Sequence, residues 1–144
     1  MEELERTLKE VLANTFVMYF KAHASHWNVT GPDFSQYHDF FGKLYEELFD
    51  ATDTIAEHIR ALDFMAPNSL TSIKLMSTLS ESDVPATSMS MFGDLLTANN
   101  LVLVSLMRAY KVAEDATELG LANFLQDRID IHQKHGWMLK ATLK

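Results

Sequence analysis

Apolar positions recur at helical spacing through four long stretches of the chain. Leu4, Leu8, Val11, Thr15, Tyr19, Ala22 and His26 share one stripe, with Leu12, Phe16, His23 and Trp27 on a second beside it, predicting a helix over about 3–27. Asn28-Val29-Thr30-Gly31-Pro32-Asp33 interrupts it. Asp33 or Ser35 is placed to cap a second helix over about 35–63. Its apolar face is Tyr37, Phe41, Leu44, Leu48, Ala51, Ile55, Ile59 and Leu62. After the break at Pro67-Asn68-Ser69, Leu70 to Leu79 suits a stubby helix, and Ser80 to Thr87, with Pro85, reads as a loop. A third long helix covers about 88–115, with Val102, Leu106 and Ala109 as core, and Gly120 lies near the turn into a fourth over about 119–142. With no convincing strand, repeat or second domain, residues 1–144 are expected to form one all-α domain. Its architecture is a four-helix bundle with a short extra helix between the second and third long ones.

Composition adds exclusions. At 144 residues and 47% hydrophobic, the chain has enough apolar material for a real core. No uninterrupted apolar run of about eighteen residues occurs, so no conventional membrane span is expected. Met1-Glu2-Glu3-Leu4-Glu5-Arg6 lacks the features of a signal peptide, and a cytoplasmic location is expected. The absence of cysteine rules out disulfides and thiolate metal sites. A net charge of −8, with scattered basic residues, argues against a nucleic-acid coat. An acidic surface suits simple solubility or the attraction of cations.

His26 in the last turn of the first helix and His38 in the first turn of the second should be neighbours across the hairpin. Such a pair can be half of a transition-metal site, or two histidines hydrogen-bonded at a helix end. Helix two adds Glu46, Asp50, Asp53 and Glu57, spaced by four, three and four residues along one stripe. Like charges at that spacing cost a few tenths of a kcal/mol per pair, so solvent, basic neighbours or a cation must offset them. Asp53 and Glu57, one turn apart, are placed to chelate one ion.

Within one chain these two pairs cannot meet. His38 and Asp53 are fifteen residues apart on one helix, roughly 22 Å at about 1.5 Å per residue. Ligands must converge to about 2 Å from the ion. If the second helix packs antiparallel on its own copy about an axis near Glu46, His38 of one chain comes beside Asp53 and Glu57 of the other. One isologous interface then makes two equivalent sites, each with two nitrogens from one subunit and two carboxylates from its mate. No histidine here has a Glu three positions before it, so the usual intra-bundle diiron arrangement is not expected. Imidazole and carboxylate together suit Fe(II), with Zn(II) and Mn(II) as competitors.

His26-Trp27-Asn28-Val29-Thr30-Gly31-Pro32-Asp33-Phe34, then His38, then Asp53-Thr54-Ile55-Ala56-Glu57, resembles the ferroxidase signature of the Dps family of miniferritins. His132-Gln133-Lys134-His135-Gly136-Trp137-Met138-Leu139 resembles that family's last helix, and the resemblance spans essentially the whole chain. It implies a ferritin-like fold and a homo-oligomer in which two-fold dimers assemble into a hollow dodecamer. It implies oxidation of Fe(II) to Fe(III), usually with hydrogen peroxide, at His26, His38, Asp53 and Glu57, and storage of the ferric mineral. Trp27, beside a ligand, would by the same resemblance donate an electron or shield the site; simple packing is the other reading. Gly42 stands where members often carry an Asp for a second metal, which favours one strong iron position. His58 stands where an Arg commonly follows the ligand Glu. The lysine-rich arm of DNA-binding members is missing from the start of the chain, so DNA binding is not expected. A DNA-protecting cage and a cage with structural Zn(II) are the competing readings.

Other candidates are weaker. His132 and His135, three apart, suit chelation or packing, and His23 suits support of His26. Glu114 and Glu118 resemble in position the acidic residues of the family's iron-entry pore. The eight methionines read mostly as core filling.

Overall fold

A computed structural model describes residues 1–144. Five helices follow one another: α1 (Glu2–Asn28), α2 (Phe34–Ala61), α3 (Leu70–Met76), α4 (Ser88–Asp115) and α5 (Leu119–Leu143). There is no strand, and the bundle is the expected one of four long helices plus a short α3. α1 packs on α2 and α4, and α4 on α5. The core follows the apolar stripes: Leu4, Leu8, Val11 and Ala22 from α1 meet Phe41, Leu48, Ile55 and Ile59 from α2. Val102, Leu106 and Ala109 are fully buried, as expected. By length and composition α4 alone is apolar enough to cross a membrane. Its Phe92, Leu95, Val102 and Leu106 instead fill the bundle core, beside buried Asn99 and Ser105.

Local rules set the ends. The α1–α2 connection is anchored by Val29, 1% exposed, and turned by Gly31 at φ +116°, a conformation that side chains resist. Asp33 takes the N-cap position of α2, but its side chain makes no capping bond. α4 carries a capping box of Thr87 and Ser90.

The α4–α5 turn departs from expectation. Gly120 already lies inside α5, and the left-handed position is taken by Thr117 at φ +59°. The Glu118 amide donates to the Ala113 carbonyl and that of Thr117 to Glu114, closing the end of α4. α3 buries no residue of its own. Its end is fastened by buried Asn14, whose Oδ1 accepts from Ser77 Oγ and the Thr78 amide, both at 2.8 Å.

Candidate metal centre

The hairpin brings His26 and His38 together, as the sequence predicts. Their rings stack with centroids 3.6 Å apart and planes inclined by 16°. Each Nδ1 lies against the backbone carbonyl of the other residue, His26 Nδ1 at 2.6 Å from His38 O and His38 Nδ1 at 2.7 Å from His26 O. A carbonyl only accepts, so each Nδ1 must carry the proton. That fixes both tautomers and leaves each Nε2 lone pair without a partner in the chain, the state a metal ligand requires.

Gly42 packs closely against the His26 ring. A Cβ at this position would sit 3.1 Å from His26 Cε1 and 3.2 Å from its Nδ1. A side chain there would require the His26 ring to give by a few tenths of an ångström.

Glu46, Asp50, Asp53 and Glu57 are all exposed and make no hydrogen bond or ion pair within the chain. Basic neighbours are thereby excluded as the offset to their repulsion, leaving solvent, a cation or a partner. Asp53 borders an open cleft with Phe16, Phe49 and Ile73. Nowhere in the single chain do three His, Asp or Glu side chains converge on one ion position. His58 turns toward α5, its ring 4.5 Å from Phe124. Burial lowers its pKa, against an opposing pull from Glu57.

His132 and His135 meet different fates. His132 is fully buried, with Nδ1 2.8 Å from Asn99 Oδ1 and Nε2 3.0 Å from Arg128 Nη2. Both nitrogens are occupied, so His132 offers nothing to a metal. Burial and the neighbouring Arg128 and His135 hold its pKa well below the ordinary value, and neutral Nε2 accepts from Arg128. His135 Nε2 lies 2.8 Å from Glu47 Oε1, and Arg128 grips the same carboxylate through both terminal nitrogens. Burial pushes the Glu47 carboxyl up, but bonds from His135 and Arg128 and the Arg128 charge bring it down to about 2. This cluster ties α2 to α5, and a Cβ added at Gly136 would come within 3.1 Å of Asn99 Nδ2. Sequence reading missed Glu47 because its partners lie some eighty residues away; Arg128 four before His132 was the only local hint.

Near the α4–α5 turn, Glu114 accepts from Tyr110 at 3.0 Å and sits 3.8 Å from Lys111, while Glu118 caps α5 by position only. Trp27 is 59% exposed, with its ring 4.1 Å from His23.

The ferritin-like domain family matches residues 5–144. The DNA protection during starvation protein of Brevibacillus brevis is 30% identical over 138 residues, covering 95% of this chain and 92% of the relative. General stress protein 20U of Bacillus subtilis is 29% identical, covering 99% and 98%. The crystal structure of the Vibrio cholerae O1 Dps protein superposes with a TM-score of 0.95 at 26% identity, covering 99% of this chain and 90% of that one. That protein is described as a member of a broad superfamily of ferritin-like diiron-carboxylate proteins. Dps from Thermosynechococcus elongatus gives 0.95 at 28% identity, covering 99% and 91%. With the bundle, the extra α3 and the histidine hairpin in place, the chain belongs to the Dps family of ferritin-like proteins.

Proposed function

We propose that this protein is a ferroxidase and iron store. Fe(II) is oxidised at a site formed by His26 and His38 of one subunit and Asp53 and Glu57 of a two-fold partner. The observation that carries this reading is the reciprocal Nδ1-to-carbonyl bonding of the stacked histidines, which presents two unpartnered Nε2 lone pairs at the hairpin mouth. Two unpaired carboxylates, Asp53 and Glu57, lie fifteen and nineteen residues beyond His38 on α2, where only an antiparallel copy brings them to that mouth. The imidazoles hold Fe(II) and the hard carboxylates favour Fe(III) as it forms. Hydrogen peroxide is the proposed oxidant, and consuming it with iron suppresses hydroxyl radical. Gly42 offers no oxygen ligand, so one strong iron position per site is proposed.

Exposed Phe49, Leu70, Leu75, Leu119 and Trp137, each more than half exposed, leave apolar surface for subunit contacts. A dodecameric cage in the cytoplasm, with the mineral inside and Glu114 and Glu118 at its entry pores, completes the proposal. Zn(II) and Mn(II) compete for the same ligands.

The test is to load purified protein with Fe(II) anaerobically, add peroxide and follow ferric absorbance in wild type and in His26→Ala/His38→Ala. A large loss of rate is expected in the variant, and equal rates refute the site.

A further inference from the structure

α2 and α5 face each other without packing closely, and side chains rather than backbone span the seam between them. A cleft of about 350 Å³ opens there, floored by Phe40, Leu44, Ile131 and Met138 and edged by Lys43 and Lys134. A second cleft, of about 240 Å³, shares Phe40, Lys43 and Met138 with the first and runs on past Tyr37 and Phe92 to Thr142. Together they form one groove from Gln36 to Glu47 along α2, about 16 Å long at about 1.5 Å per residue. Gln36, Phe40, Lys43 and Glu47 occupy a different stripe of α2 from Glu46, Asp50, Asp53 and Glu57.

Charge at the wider cleft is not cancelled. Glu47, its one carboxylate, is already held by Arg128 and His135. Lys134 has no acidic partner in the chain. Lys43 has only Asp39, in a pair exposed on both sides that contributes little. A chain of net charge −8 therefore carries an apolar groove with two available ammonium groups on its edge. We propose that this groove binds a small amphiphilic carboxylate, an acyl chain with an anionic head. The head lies between Lys43 and Lys134, and the tail runs over Phe40 and Met138 toward Phe92. A cationic amphiphile would meet two like charges at the head, and a neutral one would leave both ammonium groups unused. The groove is separate from the proposed iron ligands, and its occupant does not depend on the ferroxidase reading.

Decanoate is the probe, titrated by calorimetry into the protein as it assembles in solution, below the concentration at which micelles form. Saturable binding of one decanoate per chain is expected, with octanoate about tenfold weaker for its shorter tail. Decyltrimethylammonium, which carries the opposite charge on the same length of tail, should bind about tenfold more weakly than decanoate or not at all. Lys134→Glu removes an attraction and adds a repulsion, so it should weaken decanoate about tenfold without changing the elution volume on size exclusion. A decanoate with a diazirine in its tail, photolysed in the wild-type complex, should label Phe40, Met138 or their immediate neighbours, which locates the site without any variant. Equal affinity for the two head groups, unchanged decanoate affinity in Lys134→Glu, or labels confined to other apolar surface such as Phe20 and Trp27 overturns the proposal. Decanoate that binds only after the assembly is dissociated shows a second copy covering the groove, and overturns it as well.

Discussion

Glu47→Gln isolates the buried ionic cluster that joins α2 to α5. The Glu47 carboxyl falls from 4.5 to about 2 in the folded chain, and about 1.4 kcal/mol per pH unit converts this to about 3 kcal/mol favouring the charged form. The Glu47 side chain is 33% exposed, so solvent screening trims this to about 2 kcal/mol. Against that, the Arg128 side chain is only 5% exposed and its Nε already lacks a partner. Glutamine leaves this cation buried without a counter-charge, a loss that commonly costs about 3 kcal/mol or more. A net loss of about 2–3 kcal/mol at pH 7 is expected, a fall of roughly 5–10 °C in melting temperature for a chain of this size.

The assay is thermal unfolding of both proteins at one fixed concentration, because assembly also raises the melting temperature. A depressed carboxyl stabilises fully above its unfolded value, and that stability is lost as pH falls toward the folded one. The gap between wild type and Glu47→Gln should therefore narrow below about pH 4.5, with roughly half gone by about pH 3.5. His132 opens a higher window common to both proteins. Its folded pKa lies well below 6.5, so the unfolded chain takes the proton first and stability falls as pH drops below 6.5. Equal melting temperatures at pH 7, or a gap that persists undiminished in acid, would refute the assignment.

Further outcomes follow from the backbone and the charge. In Gly42→Ala, helix propensity improves by about 1 kcal/mol, yet the new Cβ presses on the His26 ring. Co(II) binding by calorimetry should weaken by roughly tenfold or more, as for other losses of support behind a metal ligand; unchanged affinity would contradict the role given to Gly42. Thr117→Gly relieves a β-branched residue at φ +59° and should stabilise the chain by about 1 kcal/mol in denaturant titration; a loss would show that the Thr117 side chain matters more than the turn. With a net charge of −8, no duplex DNA shift is expected in gels at physiological salt; retention that persists as salt is raised would reverse that reading.

The fold was largely legible because the long helices carry uninterrupted stripes, and their observed ends lie within two residues of those read from spacing. The histidine hairpin was legible too, since both residues flank a short breaker and only local geometry is needed to join them. Other features were hidden for definite reasons. Thr117 replaces the glycine that usually marks a left-handed helix end, so attention went to Gly120. Glu47 has no local partner in the sequence; Arg128 and His135 become its neighbours only when α5 closes on α2. The role of Asn14 depends on Ser77 and Thr78, 63 and 64 residues further along the chain. Gly42 read as a missing ligand, and the packing of His26 gave it a positive role. Glu46, Asp50, Asp53 and Glu57 remain as the sequence left them, without an ion pair in the chain.

That sharing is the central claim, and mixed subunits test it most directly. His26→Ala/His38→Ala and Asp53→Ala/Glu57→Ala subunits are each expected to be inactive as pure assemblies. Dissociated together and reassembled, half the dimers become mixed, and each mixed dimer holds one intact site and one empty one. Peroxide-driven Fe(II) oxidation should then recover to about a quarter of the wild-type rate if both sites of a two-fold pair are equivalent. A mixture in which mixed dimers form but oxidation stays at the level of the inactive parents would contradict a site shared between subunits.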